Sequence, residues 1–127
     1  MRLSEPGPRV SSAVLAIIEE AYVDPDLRLG EIANKLGISC SYLQHLIKRE
    51  TGASFTRHLH QTRTGAAAFL LTTTVLEVKE VVAKVGYANT ASLERHFKVF
   101  FGYTPTAYRK EERRRAAGIA GQEPEVC

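Results

Sequence analysis

Two segments of the sequence carry polar and cationic side chains at helical spacing, and these side chains could bind a nucleic acid. At 100° per residue, Leu43 and Ile47 fall on one side of a helix, as Leu93 and Phe97 do further along the chain. The opposite side of the first helix carries Ser41, Gln44, His45 and Lys48, with Tyr42 and Arg49 on its flanks. That of the second carries Ala91, Glu94, Arg95 and Lys98, with Thr90 and Ser92 toward the edge.

The residue types on these two faces suit the major groove of DNA. Small or polar residues in the N-terminal half let a helix approach base edges, where Gln44 can bond adenine and Arg95 guanine. Lys48 and Lys98 are long enough to reach phosphates. Glu94 would repel phosphate, although it can accept from cytosine N4, and the spacing favours an ion pair with Lys98 instead. The alternative for either face is an ordinary solvated helix surface.

Further phosphate contacts are expected near helix starts, because unpaired N–H groups there bind anions. The starts of the second, fourth, fifth and seventh predicted helices are the candidates, and His58 could add charge at the fourth. The cationic side chains predicted to contact phosphate are Lys48, Arg49, Arg57, Lys98, Arg109 and Lys110.

One pattern occurs twice in the chain at an offset of 50 residues. The matching positions are Ile32-Ala33 and Val82-Ala83, Leu43 and Leu93, Ile47-Lys48 and Phe97-Lys98, and Gly52 and Gly102. Each copy holds a short helix, a tight turn and a longer helix, which predicts a helix-turn-helix. We expect Ala33 and Ala83 to be the small inward residues where the two helices cross, with the turns near Gly37 and Gly86.

Periodicity and capping residues predict an all-α fold of seven helices without a sheet. The predicted N-terminal caps are Ser11-Ser12, Ser39 or Ser41, Ser54, Asn89 or Thr90, and Thr104, before the first, third, fourth, sixth and seventh helices. The fourth helix is long, and its inward residues are predicted to be Phe55, Leu59, Ala66, Phe69 and Leu70. Its rise of about 27 Å, with the helix width added, could hold two reading helices about one DNA turn apart.

The predicted organisation has four parts. They are a disordered tail over 1–10, a first helix-turn-helix subdomain with the linker helix over 11–73, a second subdomain over 74–112, and a basic, then flexible, tail over 113–127.

Composition narrows the function further. The net charge of +3 and a pI of about 9.0 admit a polyanionic partner. No apolar run approaches the roughly 20 residues of a membrane span, so we expect a cytoplasmic protein without a membrane partner. Cys40 and Cys127 suggest no disulfide framework, and Cys40 is predicted to be a semi-buried structural thiol. Because the chain lacks metal-ligand spacing and a glycine-rich phosphate loop, we expect neither a metal or cofactor nor catalysis.

Several residues of the two copies are shared with a known family. In the second copy they are Val82-Ala83, Gly86-Tyr87, Leu93, Phe97-Lys98, Phe101-Gly102, Thr104-Pro105 and Tyr108-Arg109. In the first they are Ile32-Ala33, Gly37-Ile38-Ser39, Leu43, Lys48, Gly52, Arg63, Ala67 and Leu70-Leu71. With them, residues 11–112 resemble the DNA-binding domain of the AraC family of bacterial transcription regulators.

The resemblance implies a seven-helix fold whose long fourth helix joins two helix-turn-helix units. The helices at about 41–51 and 90–101 would enter successive major-groove segments of double-stranded DNA. The implied base-reading positions are Ser41, Gln44, His45, Thr90, Ala91, Ser92, Glu94 and Arg95. Ser41 and Ala91 are small where members of the family often carry larger readers.

The resemblance also implies RNA polymerase as a partner and a location at the nucleoid. Members of the family usually carry an effector or dimerisation domain ahead of this one, so the chain is either a small standalone member or the DNA-binding end of a longer protein. The alternative function is a helical protein-interaction adaptor derived from the same fold. An adaptor predicts an exposed apolar stripe on the third or sixth helix, where the sequence has polar groups.

Overall fold

A computed structural model describes residues 9–121, with side chains through residue 118, and confirms the all-α prediction. The helices are α1 (Val10–Ala21), α2 (Leu29–Leu36), α3 (Cys40–Thr51), α4 (Phe55–Thr73), α5 (Val78–Lys84), α6 (Thr90–Phe101) and α7 (Pro105–Gly121). Residues 9–121 contain no strand. No helix within this range is long and apolar enough to cross a membrane.

The chain forms two compact units, which are divided inside α4. The first unit ends at Arg63 and the second begins at Thr64. The division predicted from the sequence lies at residue 73, after the linker helix. The difference arises because each half of α4 contributes buried side chains to its own unit: Phe55 and Leu59 to the first, and Leu71 to the second.

The first unit packs α1, α2, α3 and the start of α4 around one apolar core. Its buried members are Val14, Ile18, Leu29, Ile32, Ala33, Leu43, Ile47, Phe55 and Leu59, with Cys40 partly buried against them. The predicted cap of α1 is wrong, because the helix begins at Val10 and its first turn has no side-chain cap of its own. Glu50 of α3 accepts from the backbone N–H of Ser11 instead, at 3.1 Å.

In the second unit, α5, α6 and α7 pack with the second half of α4. The buried apolar residues are Ala67, Ala68, Leu71, Val81, Val82, Val85, Tyr87, Leu93 and Phe97. The ring of Phe97 lies 4.6 Å from that of Phe101 and 5.2 Å from that of Tyr108, measured between centroids. The inward prediction for Phe69 is wrong, since its side chain is 65% exposed. It lies almost opposite Ala67 and Leu71 around the helix.

The other predicted caps are confirmed, and the alternatives are resolved. The hydroxyl of Ser39 accepts from Tyr42 N, and the side-chain oxygen of Asn89 accepts from Ser92 N. The hydroxyls of Ser54 and Thr104 likewise accept from the N–H groups three residues on, in the first turns of α4 and α7. The N-termini of α3 and α6, the second helices of the two helix-turn-helix units, are therefore capped.

The turn of the second helix-turn-helix is one residue longer than that of the first, and this difference corrects the predicted role of Ala83. In the first turn Ile38 N donates to the carbonyl of Ala33, and in the second Tyr87 N donates to that of Val82. The residue equivalent to Ala33 is therefore Val82, at an offset of 49 obtained as 82 minus 33. Val82 is 4% exposed, whereas Ala83 lies on the exposed side of α5. The second turn contains one extra residue, Ala88, just before the N-cap residue of α6. After Ala88 the two copies match again at an offset of 50 residues.

Helix α7 continues well past residue 112, at which the second predicted subdomain ends. Glu111 pairs with Arg114 at 2.6 Å and Glu112 with Arg115 at 3.6 Å, both at i,i+3 spacing. Such pairs favour the helical conformation, which runs to Gly121. The predicted tail at residues 1–10 lies mostly outside the described residues, and so does the end of the tail at 113–127.

Candidate nucleic-acid interface

The α3 face is the outward side of α3 and consists of Ser41, Tyr42, Gln44, His45, Lys48 and Arg49. All six side chains are exposed, and their opposite neighbours Leu43, Leu46 and Ile47 are buried. None of the six has a side-chain hydrogen bond or ion pair to another residue in the part of the chain that the structure describes. Their donors and acceptors are therefore available to an outside partner.

The α6 face is the equivalent side of α6 and consists of Ala91, Glu94, Arg95, Lys98 and Val99. These five residues are exposed, while Thr90 and Ser92 at the first turn are half-buried. The predicted ion pair between Glu94 and Lys98 is wrong: within residues 9–118 neither side chain takes part in an ion pair. Glu94 thus remains available to accept a hydrogen bond from a partner.

Aromatic packing holds α6 from the side opposite its face. The ring of His96 stacks on that of Tyr87 at a centroid distance of 5.6 Å. His96 Nδ1 also lies 2.9 Å from the carbonyl oxygen of Ser92. Together with the fully buried Leu93 and Phe97, these contacts fix the rotation of α6 about its axis. This packing keeps the position of Arg95 on the exposed side of α6.

The predicted phosphate contacts fall into two groups. Lys48, Arg49, Arg57, Lys98 and Lys110 are exposed. Arg109 is half-buried, and its guanidinium donates through Nε to the carbonyl of Leu71 at 3.0 Å and through Nη2 to that of Thr74 at 3.3 Å. Because its donors satisfy carbonyls at the end of α4, Arg109 is engaged inside the second unit.

Arg63 occupies a matching position in the first unit, and no contact was predicted for it from the sequence. It is 5% exposed and donates to the carbonyls of Tyr22 and Asp24, each at 2.8 Å. In both units, therefore, an arginine from the helix after the helix-turn-helix binds carbonyls at the end of the helix before it. The sequence did carry one signal for this contact. Arg63 lies four residues after the inward Leu59 and so on the same side of the helix, and a guanidinium buried there requires hydrogen-bond acceptors.

A cleft of about 550 Å³ lies beside the α3 face within the first unit. Gln44 and Lys48 line one side of it, and the first residues of α2 and α4, including Gly30 and Thr56, line the other. The starts of two helices therefore lie next to a recognition-type face. Backbone N–H groups at such starts can bind phosphate oxygens.

Comparison with known proteins gives a consistent result for most of the chain. A family profile described as "Helix-turn-helix domain" matches residues 32–111. The Msm operon regulatory protein of Streptococcus mutans is 33% identical over 98 residues, which make up 77% of this chain and 35% of that protein. The chain thus spans about a third of the length of this relative.

Two solved structures share the fold. The C-terminal domain of AraT, a response regulator from Geobacillus stearothermophilus, has a TM-score of 0.76 and 33% identity, with 80% of this chain and 84% of that one covered. The DNA-binding domain of AdpA, a global transcriptional factor solved in complex with a target DNA, has a TM-score of 0.76 and 26% identity. That match covers 83% of this chain and 94% of the AdpA domain.

Proposed function

Because the chain belongs to the AraC-type helix-turn-helix family, we propose that it regulates transcription by sequence-specific binding to double-stranded DNA. The observation that supports this most directly is the pair of exposed faces on α3 and α6, whose side chains have no partners among the described residues. Each face lies on a helix with a capped start and a packed opposite side, as a recognition helix requires.

On the α3 face, Gln44 and His45 are the proposed base readers. Gln44 can accept from and donate to adenine in the major groove, and His45 can donate or accept. Ser41 is small enough to let the helix approach the base edges. The helix would enter the groove N-terminus first, with Lys48 and Arg49 one to two turns behind.

On the α6 face, Arg95 and Glu94 are the proposed readers. Arg95 can bond guanine bidentately, and Glu94 can accept from cytosine N4. Ala91 can contact only a thymine methyl group or nothing. The half-buried Thr90 and Ser92 stay at the edge of the proposed interface, where their hydroxyls could reach the first base pairs.

The exposed cations Lys48, Arg49, Arg57, Lys98 and Lys110 are the proposed phosphate contacts. The DNA strand that passes Lys48 would run along the cleft beside α3, where the starts of α2 and α4 can add backbone N–H groups. Arg109 is left out of this set because its guanidinium is bound to two carbonyls.

The proposal includes partners and a location that follow from regulation. Transcription would change through RNA polymerase, and the protein would act in the cytoplasm at the nucleoid without catalysing a reaction. An effector or dimerisation domain outside these 127 residues stays a prediction.

The adaptor alternative predicts an exposed apolar stripe on α3 or α6. The exposed large apolar side chains of these helices are Tyr42 at 53% and Val99 at 66%, one on each. Each stands among polar neighbours, so neither helix carries the stripe that an adaptor would need.

The test is selection of bound duplexes from a random DNA pool, followed by affinity measurements at several salt concentrations. We expect a defined site and, if about 6 phosphates are neutralised, a slope near −5 for log affinity against log salt. Replacing Gln44 and His45 by alanine should abolish the sequence preference at the base pairs that α3 reads and leave the preference contributed by α6. Replacing the exposed Glu19 and Glu20 of α1 is the matched control and should leave the whole preference intact. Binding that shows neither a preferred site nor a salt dependence would refute the proposal.

A further inference from the structure

Tyr42 is an exposed aromatic residue in the first turns of α3 with no evident role in folding. Its side chain is 53% exposed. Its hydroxyl has no hydrogen-bond partner within the residues that the structure describes. A tyrosine that packs in a core normally has a partner for its hydroxyl, so the ring and hydroxyl of Tyr42 are available to a ligand.

Tyr42 lies in a row along one flank of the α3 face. Arg49 follows it at i+7 and lies only about 20° away around the helix, so these two side chains form the flank. His45 at i+3 lies about 60° away from Tyr42, toward the middle of the face. Gln44 and Lys48 lie on the other side of His45, next to the cleft. Gln44 is one turn nearer the N-terminus that would enter the groove, and Lys48 lies farther out along the helix. The α3 face therefore has Tyr42 and Arg49 on one flank, Ser41 and His45 in its middle, and Gln44 and Lys48 on the side next to the cleft.

The dimensions of DNA indicate what the flanks would contact. A helix with its side chains is about 10–12 Å across, and the major groove is about 12 Å wide. A helix in the groove therefore has its flanks against the two walls, which are sugar-phosphate backbones. Tyr42 would face one wall together with Arg49, while Lys48 would face the other.

The second unit lacks the equivalent row. Ser92 and Val99 stand fifty residues after Tyr42 and Arg49, with Arg95 between them. Ser92 is half-buried and has a much shorter side chain than tyrosine, and the exposed Val99 carries no donor. The flank contact would therefore belong to α3 alone.

Resting on the proposed function, we infer that Tyr42 donates a hydrogen bond from its hydroxyl to a backbone phosphate on the DNA strand that Arg49 also contacts. Tyrosine is neutral, so its contact differs from a cationic one in a measurable way. Loss of a cation reduces the number of counterions released on binding, whereas loss of a neutral donor does not.

The experiment measures the affinity of Tyr42→Phe and Tyr42→Ala for a selected DNA site across a range of salt concentrations. We expect both variants to bind about tenfold more weakly, the effect of losing a hydrogen bond to a charged group, with an unchanged salt slope. Arg49→Ala should instead make the slope shallower by about 0.9. Tyr103→Phe is the matched control, since Tyr103 is 42% exposed outside both faces, and it should bind as the parent does.

Two outcomes separate this inference from the proposed function. If the parent protein selects no DNA site, the proposed function fails and the inference fails with it. If the parent binds its site and Tyr42→Phe binds equally well, the phosphate contact is refuted while the function stands. Melting curves of the variants should match that of the parent, because the ring of Tyr42 is half in solvent. This measurement excludes a folding defect as the explanation for weaker binding.

Discussion

The carboxylate of Glu50, at the end of α3, accepts a hydrogen bond from the backbone N–H of Ser11 in the first turn of α1, at 3.1 Å. The first four N–H groups of a helix have no partner within it, and α1 has no cap from its own N-cap residue. The helix that carries the proposed base readers therefore caps another helix of the same unit. Folding of α1 and placement of α3 are linked through this bond.

Glu50 makes the stability of the first unit depend on pH. Hydrogen bonds from the side chain and then the backbone of Ser11 hold the pKa of Glu50 below its ordinary value of 4.5. A lowered pKa in the folded state means that the stabilisation is complete above pH 4.5 and is lost as the pH falls through the lower value. We expect Glu50→Gln to melt at a lower temperature at pH 7, and the difference from the parent to shrink toward pH 3. Glu19→Gln on the exposed side of α1 is the control; an equal effect there would contradict the role of Glu50.

Substitutions of Arg109 and of its neighbour Lys110 should separate an effect on folding from an effect on DNA binding. Arg109→Met removes donors to the carbonyls of Leu71 and Thr74, so we expect unfolding to cost about 1.5–3 kcal/mol less with no change in the salt slope. Lys110→Met should leave denaturant unfolding unchanged and make the salt slope shallower by about 0.9. The reverse pattern would restore Arg109 as a phosphate contact.

Arg95 should contribute to specificity and Lys98 to affinity. Arg95→Ala is expected to weaken binding by about 1–3 kcal/mol and to relax the preference at one base pair of the selected site. Lys98→Ala should weaken all sequences alike, because a phosphate contact carries no sequence information. The comparison uses the parent site and its single-base variants. If Arg95→Ala weakened binding to all of these sites equally, Arg95 would be a contact to the DNA backbone and not to a base.

The sequence predicted the seven helices and both faces because caps, stops and apolar periodicity are local signals. The contacts of Arg63 and Arg109 were not predictable in this way, since their carbonyl partners lie 35 to 41 residues away in the chain. Phe69 was placed inward because the helical pattern does not show that the two halves of α4 bury side chains in different units. The residues that would contact DNA could be named from their types, while their availability required the structure.

The one-residue difference between the two turns gives a direct test of the corrected register. Ala33 is 1% exposed and Ala83 is on the exposed side of α5, so the same substitution should destabilise the protein at Ala33 and be nearly neutral at Ala83, although a constant offset of 50 would treat the two positions as equivalent. Ala33→Leu should destabilise the protein by about 1–3 kcal/mol, since extra methylene groups overpack a filled core. Ala83→Leu should change stability by no more than about 0.5 kcal/mol, as is usual at a surface position. Denaturant unfolding of both variants measures this difference. Equal losses would mean that Ala83, and not Val82, lies where the two helices cross.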